Sequence, residues 1–247
     1  MTRRDDPARA AQDPALGRGT EPAAPGSSES AHPAARLGKG SRLILARHGQ
    51  TDHNVAGRMQ GQIDIPLNDL GIRQADALAR SLERAGAPDV IISSPLRRAH
   101  ATALVVAERL GLPVEVDAAF TERSFGRWEG MTGEEIREQF PAEHDDWIHR
   151  RSVHGIGMEH REEVARRVGD GCRRILAAHP GKAVLVVAHG AAITLGISDL
   201  IGTDPETFRG ISGLENCHRS ALDPLLADPE GRLMRLVSHN VPPDFAP

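Results

Sequence analysis

The sequence predicts an α/β fold, with a mostly parallel central sheet and helices on both faces. Three short segments, residues 43–46, 90–92 and 184–187, are continuously apolar and do not alternate with polar residues. Such runs are typical of parallel strands that are buried on both faces. Segments with hydrophobic residues at helical spacing lie between them, and this order favours strands joined by crossover helices.

Two helices are predicted on either side of the second apolar run. Residues 67–82 place their leucines on one face of a helix. After the run, Ser94 and Pro95 are typical of an N-cap followed by the first helical position. This second helix is expected to continue to Leu110 and to end at Gly111.

The second half of the chain predicts one edge strand, one long helix and an irregular excursion. Val114 and Val116 indicate a short edge strand. Residues 164–175 place apolar side chains at spacings of three and four, which predicts a helix ending at residues 179–181. Residues 143–160 are rich in histidine, arginine and acids, and we expect a surface lid or excursion there.

The composition excludes several classes of protein. The chain has 247 residues, of which 39% are hydrophobic and 26% charged, as in globular proteins. No apolar run reaches the roughly 18 residues of a membrane span. The net charge of −4 argues against an electrostatic nucleic-acid binder. Cys172 and Cys217 form no CxxC motif, so we expect reduced thiols and a cytoplasmic protein.

The first 40 residues differ in composition from the rest. They are rich in proline, glycine and alanine, and after Met1 their only large aliphatic side chains are Leu16 and Leu37. Such a segment buries too little surface to offset the entropy of ordering it. We therefore predict a disordered N-terminal tail over residues 1–40 and a folded domain over 41–247.

Polar groups follow all three apolar runs at the point where each predicted strand ends. They are Arg47-His48-Gly49, residues 93–97, and His189-Gly190. One His-Gly pair alone would favour a turn glycine beside a structural histidine. Three such groups at the ends of parallel strands predict a single crevice with two histidines and two arginines, which suits a phosphoryl group.

Five motifs in this order resemble the histidine phosphatase superfamily, also called phosphoglycerate mutase-like. They lie at residues 47–54, 58–71, 93–99, 122–130 and 188–190. The resemblance covers about residues 42–222 and implies the phosphoglycerate mutase-like fold. It also implies a phosphomonoester hydrolase that acts on a small phosphorylated metabolite through a phosphohistidine and needs no metal or other cofactor.

The resemblance assigns a role to each matching residue. His48 would be the nucleophile and Glu122 the general acid, and Arg47, Arg97 and His189 complete the catalytic set. The residues implied to bind phosphate or substrate are Arg47, Asn54, Gln60, Gly61, Arg97, His189 and Gly190. Arginines near His48 would disfavour its protonation. A backbone carbonyl would be expected to fix the tautomer of its ring.

Departures from the family pattern leave alternatives open. Met158-Glu159-His160 stands where phosphatases of the family commonly have Gly-Glu-Ser. Mutases of the family carry a long insertion after the acid, whereas Glu122 and Glu159 are close in sequence, which favours the phosphatase branch. A 2,3-bisphosphoglycerate-dependent phosphoglycerate mutase and a phosphate-binding module without turnover remain alternatives, and a homodimer is left open.

Other polar and aromatic patterns are interpreted as structural. The histidines of residues 144–160 lack the spacing of strong zinc motifs. The paired arginines of residues 162–174 alternate with acids, which is typical of a solvated helix face. Trp128 and Trp147 are expected to be packing residues.

Overall fold

The computed structural model describes residues 40–228 and 231–244. Residues 1–39 lie outside the described residues. The predicted tail over 1–40 and its boundary with a domain over 41–247 therefore stay predictions.

The central sheet of the described residues is mixed, with four parallel strands and an antiparallel pair. Its strands are β1 Arg42–Arg47, β2 Val90–Ser93, β3 Val114–Val116, β4 Ala183–Ala188, β5 Arg219–Pro224 and β6 Met234–Val241. Their order across the sheet is β3-β2-β4-β1-β5-β6. The strands β3, β2, β4 and β1 pair in parallel with their neighbours, whereas β5 pairs antiparallel with β1 and β6. The mostly parallel sheet is thereby confirmed.

Helices cover both faces of the sheet. The helices of the described residues are α1 Asp52–Val55, α2 Asp69–Ala85, α3 Arg97–Leu110, α4 Gly133–Gln139, α5 Pro141–Ile148, α6 Arg161–Ala178 and α7 Gly190–Leu200. α2 and α3 share a hydrophobic cluster with Ile44 of β1, whereas α6 and α7 share another with Leu43 and Leu45. Because alternate residues of β1 are buried on opposite faces, its whole run must be apolar.

The sequence pattern does not predict the C-terminal strands β5 and β6. In β5 the fully buried positions are Ser220 and Leu222, and the other residues of the strand are half-buried. An antiparallel strand with one polar buried residue produces no continuous apolar run. The hairpin therefore has a weaker signature than the parallel strands, although β5 lies directly beside β1.

The predicted start of α3 is wrong by two residues. The helix begins at Arg97, and Leu96 precedes it without a side-chain cap. Ser94 does not cap the helix, because its Oγ lies 2.7 Å from Nε2 of His189. The predicted end is confirmed, since Gly111 adopts the left-handed conformation that favours glycine.

The predictions for the edge strand and the long helix are confirmed. β3 lies at one edge of the sheet. α6 buries Val168 and Cys172 and ends at Ala178, directly before the predicted stop at residues 179–181. Both cysteines of the chain, Cys172 and Cys217, are buried and unpaired. No helix in the described ranges has the length and apolarity to cross a membrane.

A third hydrophobic cluster lies under the segment predicted to be an irregular excursion. It is built around Trp128, which is fully buried, and Trp147 packs against that indole edge-on with ring centroids 5.6 Å apart. The packing role of both tryptophans is therefore confirmed. The excursion is more regular than expected, since α5 continues to Ile148 and only residues 149–160 lack a helix or strand.

Candidate active site

The three central strands bring the predicted polar groups to one edge of the sheet. β2, β4 and β1 are neighbours in the sheet. Ser94 follows directly after β2, His189 after β4 and His48 after β1. The backbone N–H of His48 donates to Ala188 at 3.0 Å, and that of Ser94 donates to Val187 at 3.0 Å. The rings of His48 and His189 have centroids 5.2 Å apart. The convergence expected at parallel strand ends is therefore present.

The His48 ring is held as a neutral base. Nδ1 lies 2.7 Å from the carbonyl oxygen of Gly49, so this nitrogen carries the hydrogen and donates it. Nε2 therefore keeps its lone pair. Burial lowers the pKa of His48 well below its ordinary value, and the nearby charges of Arg98 and Arg47 lower it further. This is the tautomer and charge state of a nitrogen nucleophile.

Close backbone contacts fix the loop that carries His48. A Cβ at Gly49 would overlap the carbonyl oxygen of Gly71, in the first turn of α2. The N–H of Gly49 donates to Oγ1 of Thr102 at 3.0 Å, and that hydroxyl donates to the Arg98 carbonyl at 2.7 Å. Thr102 was not predicted, because its position inside α3 has no strand-end signal. It ties the nucleophile loop to α3.

His189 has a partner on one ring nitrogen. Its Nε2 lies 2.7 Å from Oγ of Ser94, which also accepts the Leu96 N–H at 3.3 Å. Its Nδ1 is buried and has no hydrogen-bond partner among residues 40–228 and 231–244. Burial lowers the pKa of His189 well below its ordinary value, and Arg98 and His48 add to the effect. The second histidine is therefore neutral too.

Arg47 extends along the start of α7. Its Nη1 donates to the Leu214 carbonyl at 2.6 Å, whereas Nε is buried without a partner in the described part of the chain. A Cβ at Gly190 would lie 3.7 Å from that Nε, at ordinary contact distance. Burial lowers the pKa of Arg47, although Glu122 and other charges raise it in part. An arginine keeps its charge here because its ordinary pKa is so high.

The second arginine of the site is Arg98, and the prediction of Arg97 is corrected by one residue. Arg98 is fully buried, and its charge acts on both His48 and His189. Burial lowers its pKa to about 10. The Arg97 side chain is exposed. Consecutive residues of a helix point about 100° apart, so only one of this pair can face the histidines.

Arg98 also holds the predicted substrate loop. Its Nη2 donates to the Gly61 carbonyl at 2.7 Å and its Nη1 to the Ile63 carbonyl at 2.8 Å. Its Nε is buried and has no partner within the described ranges. Gly61 has a φ of +51°, and a Cβ there would overlap the carboxylate of Glu129. Both features favour glycine at this position.

Asn54 and Gln60 lie in a hydrogen-bonded network beside His48. Thr51 caps α1, and its hydroxyl donates to Gln60 Oε1 at 3.0 Å, while its N–H donates to Asn54 Oδ1 at 3.1 Å. Nδ2 of Asn216 donates to the His48 carbonyl at 2.9 Å and lies 3.4 Å from Asn54 Oδ1. Asn216 was not predicted, because it precedes β5, a strand that the sequence pattern does not show.

Glu122 lies at the N-terminus of α7. Its Oε1 accepts the N–H of Ala192 at 2.9 Å and that of Arg123 at 2.9 Å, and its Oε2 accepts the N–H of Ala191 at 3.3 Å. The residue is buried, with 8% of its surface exposed. Helix N-termini stabilise negative charge through such N–H groups. The predicted acid therefore lies next to the second histidine motif.

Arg167 fixes the backbone at and before this acid, which corrects the prediction of a solvated helix face for this residue. Its Nη1 donates to the Thr121 carbonyl at 2.7 Å and its Nη2 to the Glu122 carbonyl at 3.2 Å. Its Nε donates to Glu159 Oε1 at 2.8 Å. Burial alone would raise the pKa of Glu159, but Arg167 and the N–H of Ser124 lower it overall. Glu159 is thus a paired carboxylate that supports the Glu122 segment.

The family model of the histidine phosphatase superfamily (branch 1) matches residues 43–238. The chain belongs to this superfamily, and it has the phosphoglycerate mutase-like fold that the sequence predicts.

Glucosyl-3-phosphoglycerate phosphatase of Mycobacterium tuberculosis is 36% identical over 183 residues, covering 71% of this chain and 82% of that protein. A solved mycobacterial glucosyl-3-phosphoglycerate phosphatase with VO3 superposes with a TM-score of 0.73 at 35% identity, covering 81% of this chain and 99% of that one.

Two further relatives either match over a smaller part of their own length or have a lower sequence identity. A bifunctional protein of Mycobacterium tuberculosis is 40% identical over 158 residues, which are 64% of this chain. The match spans 43% of that protein, so it covers less than half of the relative. A phosphoserine phosphatase mutant of Entamoeba histolytica, solved with phosphoserine, has a TM-score of 0.69 at 28% identity, covering 81% of this chain and 96% of that one.

Proposed function

We propose that the chain hydrolyses a small phosphorylated metabolite through a phosphohistidine on His48. The observation that carries the proposal is the His48 ring itself. Nδ1 is tied to the Gly49 carbonyl, so the lone pair of Nε2 is available for attack. The low pKa keeps this lone pair free at neutral pH.

In the first step, Nε2 of His48 attacks phosphorus and the bond to the leaving oxygen breaks. Glu122 donates a proton to that oxygen, so the alcohol leaves neutral. In the second step, water attacks the phosphohistidine, and the Glu122 carboxylate accepts the proton that the water loses. Inorganic phosphate and the free His48 ring result.

The neighbouring cations stabilise the transferring phosphoryl group. Nε of Arg47 and Nε of Arg98 are buried donors without protein partners in the described residues. Both are available to phosphoryl oxygens, as is Nδ1 of His189 when the Ser94 hydroxyl donates to Nε2. Preorganised donors of this kind stabilise developing charge without any metal ion. Asn54, Gln60 and Gly61 would contact phosphate or substrate from the adjacent loop.

Glucosyl-3-phosphoglycerate is the substrate we propose first. The support is the similarity to the mycobacterial phosphatases of that name. The short segment between Glu122 and Glu159 favours hydrolysis over the phosphoglycerate mutase reaction. The presence of both His48 and Glu122 argues against a binding module without turnover. We further propose action in the cytoplasm with no cofactor, no nucleic-acid or membrane partner, and either a monomer or a homodimer.

Hydrolysis of p-nitrophenyl phosphate in excess EDTA tests the mechanism. We expect full activity with EDTA, and no turnover in His48→Ala. The matched control is His149→Ala, since His149 is an exposed histidine outside the site. Reactions quenched with alkaline detergent should contain a base-stable phosphoprotein that subsequent acid treatment destroys and that His48→Ala lacks. Activity that EDTA abolishes and Mg²⁺ or Zn²⁺ restores would contradict the mechanism.

A panel of phosphorylated metabolites tests the substrate. It should include glucosyl-3-phosphoglycerate, phosphoserine and 3-phosphoglycerate. With 3-phosphoglycerate and catalytic 2,3-bisphosphoglycerate, we expect phosphate release to exceed formation of 2-phosphoglycerate. Dominant interconversion would instead favour the mutase alternative.

A further inference from the structure

A second cationic cavity lies outside the set of catalytic side chains. It is enclosed by the end of α5, residues 151–160, the start of α6 and Glu206. We call it the Arg161 cavity. The side chains of its lining used below are Arg123, Trp147, Arg151, His160, Arg161 and Glu206.

Arg161 has an unsatisfied donor in this cavity. Its side chain is 14% exposed, and its Nη1 is buried without a hydrogen-bond partner in the described part of the chain. The nearest carboxylate oxygen, Oε2 of Glu206, is 3.8 Å away, which is too far for a hydrogen bond. A buried charged donor without an acceptor is costly. An acceptor from a ligand would remove that cost.

Arg123 places a second guanidinium group on the same wall. The residue is 7% exposed, and its Nε donates to the Glu159 carbonyl at 2.8 Å. Its Cζ lies 5.8 Å from the ring centroid of Trp147, and Cζ of Arg161 lies 5.9 Å from that same ring. Burial lowers the pKa of Arg123 to about 10, and the charge of Arg161 contributes. The positive charges of Arg123 and Arg161 thus both lie near the indole ring of Trp147.

The carboxylates around the cavity do not balance these charges. Both oxygens of Glu159 are bound by Arg167, and one also accepts a backbone N–H. Arg151 brings a third positive charge, although it is paired with Asp145 and Asp146. Glu206 is the other carboxylate that lines the cavity.

The start of α6 adds positive potential from the backbone. His160 is the N-cap of this 18-residue helix and makes no side-chain capping hydrogen bond. His160 also lines the cavity. N–H groups in the first turn of a long helix favour an anion nearby.

We propose that the Arg161 cavity binds an oxyanion, either a carboxylate or a phosphate, between the guanidinium groups of Arg123 and Arg161. Arginine forks suit such groups because they can donate two parallel hydrogen bonds. Two sources are possible: the second acidic group of a substrate, or a separate small anion. The first source rests on the proposed function, whereas anion binding itself does not.

A backbone contact connects this cavity to the catalytic residues. Arg123 directly follows Glu122, and its N–H donates to Oε1 of Glu122 at 2.9 Å. An anion that orders Arg123 would therefore also order the acid.

Intrinsic fluorescence can test binding directly. The chain has two tryptophans, and Trp147 lies in the cavity whereas Trp128 is fully buried. Sulfate and malonate should change the emission of the wild type, with chloride at equal ionic strength as the reference. Trp147→Phe should remove the response. Arg161→Gln should raise the apparent Kd by about 10- to 100-fold, the worth of one or two charge-assisted hydrogen bonds.

Control variants distinguish a loss of anion binding caused by the missing guanidinium group of Arg161 from one caused by a disturbed fold. Arg166→Gln removes an exposed arginine from the same helix and should leave the Kd unchanged. Arg161→Lys keeps the charge without the fork and should fall between Arg161→Gln and the wild type. No anion response in the wild type, or an equal response in Arg161→Gln with an unchanged melting temperature, would overturn the proposal.

Activity then identifies the source of the anion. If the substrate supplies it, Arg161→Gln should lower kcat/KM for phosphoserine and 3-phosphoglycerate, which carry a carboxylate, by at least about tenfold. Hydrolysis of p-nitrophenyl phosphate should stay unchanged in the same variant. Lost sulfate binding with unchanged kcat/KM for all three esters would support a separate anion. A chain without any phosphatase activity would defeat the proposed function, yet the fluorescence assay would still test the cavity.

Discussion

Arg98 Nη2 donates to the carbonyl oxygen of Gly61 at 2.7 Å, which joins the start of α3 to the substrate loop. The same side chain supplies a buried positive charge next to His48. One arginine therefore positions the loop backbone while its Nε stays available to a phosphoryl oxygen.

Replacing Arg98 with lysine should lower kcat/KM far more than the same replacement of Arg97. We expect Arg98→Lys to lower kcat/KM for p-nitrophenyl phosphate by about 10²- to 10³-fold, because the compact ammonium group of lysine lacks the planar fork whose separate nitrogens reach the two carbonyls and a phosphoryl oxygen. Arg97→Lys is the matched control and should change kcat/KM less than about twofold, because its side chain is exposed. Steady-state kinetics with melting curves for both variants provide the measurement. A larger loss of kcat/KM in Arg97→Lys than in Arg98→Lys would favour Arg97 as the second arginine of the site.

The role of Glu122 can be tested by comparing leaving groups. An alkoxide leaves poorly without a proton, whereas p-nitrophenolate is already stable, and general-acid catalysis is typically worth about 10²–10⁴-fold. Glu122→Gln should therefore slow phosphorylation of His48 by an alkyl phosphate far more than by p-nitrophenyl phosphate. Single-turnover bursts should be compared, because slow dephosphorylation would mask the difference in the steady state. Equal losses for both substrates would make Glu122 a positioning residue.

Ser94 should act through the orientation of the His189 ring. Ser94→Ala removes the hydroxyl that lies 2.7 Å from Nε2, and we expect kcat/KM to fall by about 5- to 30-fold, as for one lost hydrogen bond. The Ki of inorganic phosphate should rise in parallel. Ser93→Ala is the control, because Oγ of Ser93 bonds the Ser94 carbonyl and does not contact the histidine. If Ser94→Ala changed only the melting temperature, Ser94 would have no positioning role.

The two buried histidines predict a loss of stability in acid. Their pKa values are lowered in the folded protein, so below about pH 6.5 the unfolded chain takes up protons that the folded chain does not. The free energy of unfolding should thus be highest above this pH and fall as the pH decreases toward the folded-state values. Each histidine contributes at most about 1.4 kcal/mol per pH unit.

Urea unfolding at pH 7.5, 6.5 and 5.5 measures this dependence. The double variant His48→Gln, His189→Gln should show a smaller decrease between pH 6.5 and 5.5. An equal decrease in the wild type and the double variant would assign the effect to other groups.

Much of this architecture follows from continuous apolar runs, because β1, β2 and β4 are buried on both faces. The strand-end rule also locates His48 and His189 correctly. It cannot choose between Arg97 and Arg98, because that choice depends on where α3 begins, and Ser94 imitates a helix cap while contacting a histidine instead. Local sequence patterns do not register such long-range contacts.

Arg167 shows the same limit in another form. Its neighbours on α6 are charged, so the pattern resembles a solvated surface. The side chain instead bonds backbone carbonyls some 46 residues earlier in the chain. The sequence does not indicate which backbone carbonyl an arginine will bond, because every residue has a backbone carbonyl.

The first turn of α7 has a consequence for how this site can vary. His189 precedes the helix, and the N–H groups of Ala191 and Ala192 hold the carboxylate of Glu122. The histidine proposed to bind phosphate and the carboxyl group proposed to donate the proton are therefore both positioned by the same helical turn. Substitutions that tilt this helix would therefore misalign His189 and Glu122 at the same time.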